Sequence, residues 1–81
     1  MLEFEALHIP ALTSEVASNL ENSLRILPGV ETYKINVETR QIQVVFDEQR
    51  LGFVNLIQAM SVAGCPLRSI NAALLKDLSR K

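Results

Sequence analysis

LPGVETYKINVETRQIQVVFD, residues 27–47, decides the fold. Pro28-Gly29 stops whatever helix precedes it, because glycine readily takes the left-handed conformation at a helix end. VETYKINV then alternates with period two: Tyr33, Ile35 and Val37 point one way, and Thr32, Lys34 and Asn36 the other. ETRQ is a polar turn. IQVVF resumes the alternation through Ile42, Val44 and Phe46. Two such runs joined by a short polar turn predict a β-hairpin.

On the N-terminal side, LEFEALHI is strand-like, with apolar Leu2 and Phe4, then Leu7 and Ile9. The alternation slips near Ala6, which predicts a bulge or a one-residue shift there. Pro10 closes the strand, since it cannot donate to a ladder. Thr13 or Ser14 is the expected N-cap of a helix, with Glu15 at its positive end. Val16, Leu20, Leu24 and Leu27 recur at helical spacing and form its apolar face.

On the C-terminal side, Phe53, Leu56, Ile57, Met60 and Ala63 form a second helical stripe, ended by Gly64. CPLRSI is expected to be a short last strand, with Pro66 marking an edge. NAALLKDLSRK is expected to be a short C-terminal helix, capped by Asn71, with Ile70, Leu74 and Leu78 on one side. The chain thus divides into a folded unit at 1–70 and a helical tail at 71–81. The order strand, helix, strand, strand, helix, strand predicts an α+β fold. It is a ferredoxin-like βαββαβ sandwich, with a four-stranded antiparallel sheet and both helices on one face. The other sheet face stays open.

Bulk properties bound the function. Eighty-one residues make one domain, and 48% hydrophobic against 21% charged residues favours folding over disorder. The formal net charge is −1 with scattered basic residues, which argues against a nucleic-acid surface. No apolar run approaches the ~20 residues a membrane span needs, and the LLKDLSRK tail is too short and too mixed in charge to hold a membrane surface. The N-terminus carries acids where a secretory signal would carry bases. A single cysteine, Cys65, cannot form an internal disulfide. These features predict a cytosolic protein.

Residues 27–47 resemble the signature of the heavy-metal-associated domain, the module of copper chaperones and metal-pumping ATPases. They carry its glycine-valine at the helix end, its alternating valines, its turn, and its valine-rich strand closed by an aspartate. LIQAMSVAGCPL, residues 56–67, resembles the family's second helix, which ends in alanine-glycine. The resemblance covers roughly residues 4–68, and it rests on order and spacing together.

The family's metal motif is glycine, methionine, any residue, cysteine, two residues, cysteine. Counting back from Gly29-Val30 without gaps puts the two cysteines at Thr13 and Val16. Shortening the loop by one residue aligns Ala11 with the glycine, Leu12 with the methionine and Ser14 with the first cysteine. Neither alignment supplies a thiol. Soft cations prefer thiolates, a threonine hydroxyl stays neutral, and Val16 offers nothing. Leu12 is expected to pack inward as the family's methionine does.

Cys65 follows alanine-glycine, a position that in the family lies beside the metal loop, and His8 lies at the end of the first strand. The two could make a weak two-ligand site or half of a site across a dimer. The structural expectation is that Cys65 is a buried small hydrophobe and His8 an ordinary strand-end residue.

The three glycines are isolated, so no phosphate loop is present. Ser14 lacks any nucleophile-elbow context. No enzyme is expected. The sequence instead predicts a small binding module that meets a protein partner or a second copy of itself. Its contact surface would be the open face carrying Thr32, Lys34, Asn36, Gln43 and Val45, or an edge strand. No cofactor is expected. The alternative is a carrier of copper or zinc that uses His8 and Cys65. A small-molecule sensor, by analogy of fold alone, is a third reading.

Overall fold

The computed structural model describes residues 1–66 and 72–78. The elements are β1 (Leu2–Leu7), α1 (Ser14–Ile26), β2 (Val30–Asn36), β3 (Gln41–Phe46), α2 (Phe53–Val62) and β4 (Ala72–Asp77). The strands form one sheet in the order β2-β3-β1-β4, every neighbouring pair antiparallel. This is the ferredoxin-like βαββαβ arrangement that the sequence predicts. One core lies between the sheet and the helices. Phe4 and Ala6 of β1 and Ile42, Val44 and Phe46 of β3 meet Leu20 and Leu24 of α1 and Leu56 and Met60 of α2. Phe4 and Phe53 pack as a tilted aromatic pair, centroids 5.4 Å apart at 59°.

The apparent slip in β1 has a different cause from a bulge at Ala6. Phe4 and Ala6 are both buried, so the alternation runs true to the end of the strand. His8 then adopts a left-handed conformation, φ 55°, and turns the chain so that Ile9 is buried in its turn. The irregularity that does occur in the sheet lies between Val30 and Thr32, where β2 shifts register against β3.

Gly29 closes α1 at φ 100°. A Cβ there would lie 2.6 Å from the Cβ of Leu51, so only glycine lets this turn sit against the loop before α2. The Gly29 carbonyl accepts from Asp47 N at 2.8 Å, which ties the start of β2 to the end of β3.

The C-terminal expectation is corrected. Residues 72–77 form a strand, not a helical tail, and this strand completes the sheet along β1 from Leu7↔Ala72 to Leu2↔Asp77. Ala, Leu and Lys are strong helix formers, but local propensity is a weak prior. The bare backbone edge of β1 needs hydrogen-bond partners more than a short isolated helix needs to form. Cys65 and Pro66 precede β4 and lie in no strand. The remainder of CPLRSI, with Ile70, and the proposed cap Asn71 lie outside the described residues.

Candidate functional site

Two places carry the residues singled out by sequence. The first is the corner where β1 runs into α1. After His8 the chain makes a compact loop, with Leu12 N donating to Ile9 O at 3.1 Å and Thr13 N to Ala11 O at 3.0 Å. Leu12 is buried in the core. Thr13 is the N-cap: its Oγ1 accepts from Val16 N at 3.3 Å, and its carbonyl accepts from Ala17 N at 2.8 Å. Ser14 is the first helical residue.

Val16 is half-buried and turned toward the end of α2. A Cβ on Gly64 would lie 3.2 Å from Val16 Cγ2, so Gly64 at φ 106° is what permits this close approach. Asn19 Nδ2 donates to Ala63 O at 3.5 Å on the same side. Cys65 N donates to Met60 O at 2.9 Å, and the Cys65 side chain is buried in the cluster that contains Ile9, Leu12 and Met60.

His8 and Cys65 sit in different environments. His8 is exposed and lines a surface hollow with Pro10, Glu38, Thr39 and Arg40, into which Cys65 does not reach. Ile9 N donates to Arg40 O at 3.2 Å, and Arg40 Nη1 to Pro10 O at 3.5 Å, so this hollow is built by the β2–β3 turn rather than by α2. Among the described residues, no group of three or more His, Cys, Asp or Glu side chains could hold a metal ion. The corner therefore consists of a hydroxyl committed to a helix cap, a valine on a glycine, and a buried thiol.

The second place is the sheet face away from the helices. The register sets its side chains in rows. Thr32 of β2 lies across from Val45 of β3, which faces Glu3 of β1, which faces Lys76 of β4. In the next row Lys34 faces Gln43, then Glu5, then Leu74. Asn36 pairs with Gln41 at the end of the hairpin.

Glu3 holds this face together: its carboxylate accepts from Gln43 Nε2 and pairs with Lys76 Nζ at 3.9 Å. Thr32, Lys34 and Asn36 are exposed, and Gln43 and Val45 are half-buried. Glu3 and Glu5 belong to the same surface. The period-two alternation with Leu2 and Phe4 carries that signal in the sequence, whereas Lys76 and Leu74 were hidden in a stretch that reads as helix.

A hollow on this face, lined by Glu5, Lys34, Asn36, Gln41, Ile42 and Gln43, measures about 140 Å³. Small-molecule pockets span ≈ 300–1,000 Å³, so it is undersized for one. The wider recess of about 450 Å³ beside it is walled only by residues 34–38, a strand end and its turn. The face offers a broad polar surface with Val45 at its middle rather than a cavity. No helix among the described residues is long and apolar enough to cross a membrane.

No family model matches the chain, and no curated protein matches it. Solved structures do. Oxidised MerP from Ralstonia metallidurans CH34 superposes with a TM-score of 0.67 at 21% identity, over 95% of this chain and 97% of that one. A copper binding domain from HMA7, a P-type ATPase, gives 0.69 at 16% identity, over 95% and 96%. The Atx1-Cu(I)-Ccc2a complex gives 0.61 at 20% identity, over 93% and 94%. The chain thus shares its fold with these structures over nearly its whole length. At these identities the likeness is one of fold.

Proposed function

We propose that this chain is a non-enzymatic binding module that acts through contact with another protein and does not carry a soft metal ion. One observation carries the reading. The corner that holds the metal motif in the resembling family is here closed by Leu12, Val16 and a buried Cys65, while a polar face spanning all four strands stays open. Copper(I) and mercury chemistry needs thiolates that can lose their protons and reach the ion. One enclosed thiol and an exposed imidazole in a separate hollow do not meet that need.

The solved complex of Atx1 with Ccc2a joins two proteins, and contact between folded partners is the property this chain could retain after losing the thiol pair. The contacting residues in this reading are Thr32, Lys34, Asn36, Gln43 and Val45, with Glu3 and Glu5 beside them. A homodimer is the narrower form of the same reading, and a reducing, cytosolic setting suits the lone cysteine.

The test is a comparison of crosslinked complexes formed in cells by the wild-type chain and by a Lys34→Glu, Gln43→Lys double variant. Both substitutions lie on the open face and leave the core untouched. A crosslinked partner that disappears with the double variant while folding is unchanged supports the reading. Crosslinked species identical in both chains would remove the open face from it.

A further inference from the structure

The fourth strand carries an observation the open face does not use. β4 is the outermost strand, all of its residues are exposed, and among the described residues β1 is the only element beside it. Leu74 is 58% exposed, Leu75 50% and Leu78 44%. Leu74 lies across from Glu5 on the open face, and Leu75 across from Phe4 on the helix face, so apolar surface is offered on both sides of one edge.

The phase of the ladder is fixed at its end, where Leu78 N donates to Met1 O at 3.0 Å. In an antiparallel pair, hydrogen-bonded and non-hydrogen-bonded residues alternate. Leu74 and Lys76 therefore bond to β1, and Ala73 and Leu75 aim their backbone N–H and C=O groups outward. The opposite edge is guarded. β2 has a register irregularity after Val30, Lys34 on its exposed side, and Tyr33 and Ile35 half-buried against the core. β4 also carries a lysine, Lys76, but it has no bulge or proline and its side chains are exposed on both faces, so it remains the less protected edge and a template for pairing.

We propose that β4 pairs antiparallel with β4 of a second copy of this chain, joining two sheets across a two-fold axis at Leu75. The inference rests on the reading of the chain as a protein-contact module and specifies one such contact. A second copy fits because the strand complements itself. With Leu75 on the axis, Leu75 meets its own counterpart on the helix face. Leu74 meets the aliphatic stem of Lys76, and Ala73 leaves room for Asp77. Moving the axis to Lys76 would oppose two ammonium groups, and moving it to Leu74 would engage only Ala73 and Leu75 of the strand's outward-facing residues, leaving out Asp77. Isologous two-fold pairing closes on itself, whereas joining β4 to β2 would build an open filament.

Sedimentation equilibrium from micromolar to millimolar concentration tests this. A two-strand interface is small, so a weak, concentration-dependent dimer is expected. Leu75→Pro removes an outward donor, a place where an edge strand accepts proline, and should weaken the dimer by about tenfold or more with the circular dichroism unchanged. If that variant does not fold, amide exchange on the wild-type chain decides. Protection at Ala73 and Leu75 should rise with concentration, while Leu74 and Lys76 stay protected throughout. A strict monomer, a larger oligomer, or a dimer with no concentration-dependent protection at Ala73 and Leu75 overturns the self-pairing. The open-face reading stands or falls separately, on the Lys34→Glu, Gln43→Lys comparison.

Discussion

At Gly29 and His8 a positive φ has opposite consequences. Gly29 at φ 100° has no room for a Cβ against Leu51. Gly29→Ala should cost about 3 kcal/mol in chemical denaturation, combining left-handed strain with overpacking. His8 holds φ 55° with a full side chain exposed to solvent. His8→Gly should therefore stabilise by about 1 kcal/mol in the same assay, because the strain goes and no buried contact is lost. Destabilisation would instead assign His8 a structural contact. Thr13→Ala should cost about 1 kcal/mol through loss of the cap to Val16. At this scale the sequence was readable where one residue type has one use. The glycine stop followed directly, the inward Leu12 came only through the family resemblance, and the cap stayed open between Thr13 and Ser14, since either hydroxyl can serve.

The elements divide by whether their pattern is local. β3 buries one face, β2 half-buries one, both alternate, and α1 and α2 carry apolar stripes at helical spacing. β4 does neither. Ala72-Ala73-Leu74-Leu75-Lys76-Asp77 is exposed on both faces, so burial imposed no alternation on it, and its helix-forming residues spoke for a helix. What makes it a strand is the unpaired edge of β1, a demand that lies some seventy residues away. The candidate site suffered the same loss, since Lys76 reaches Glu3 only once β4 is a strand. Leu74→Pro should remove a ladder bond to β1 and cost about 3 kcal/mol. Leu75→Pro, aimed outward, should cost far less in a dilute sample. Equal losses from the two prolines, measured by thermal unfolding, would contradict the ladder phase.

For the whole molecule, the N-terminus lies against the end of β4 and the loop before α2. Met1 O accepts from Leu78 N, and the Met1 amino group lies 2.7 Å from Glu48 Oε1. The hydrogen bond to that amino group holds the Glu48 carboxyl below its ordinary value, and the same bond to Glu48 holds the amino group above its own. The carboxyl contribution to stability is present above its unfolded-state pKa and is lost as pH falls through its folded one. The amino contribution is present below its unfolded-state pKa and is lost as pH rises through its folded one. Both groups are exposed enough for solvent to screen the pair, so the effect is small. Glu48→Gln should flatten both limbs of a denaturation-midpoint profile against pH, and a profile identical to wild type would show the pair contributes nothing.

The central claim is that the corner between β1 and α1 is closed to soft ions. Thr13 and Val16 are already brought together by the cap, so a Thr13→Cys, Val16→Cys variant serves as the positive control for an open one. Copper(I) titration against a competing chelator, on the monomer, puts the claim to its most direct test. The account predicts no sub-micromolar binding by the wild-type chain or by Cys65→Ala, and clear binding by the double-cysteine variant. Sub-micromolar, one-to-one binding by the wild-type chain that vanishes in Cys65→Ala would contradict it.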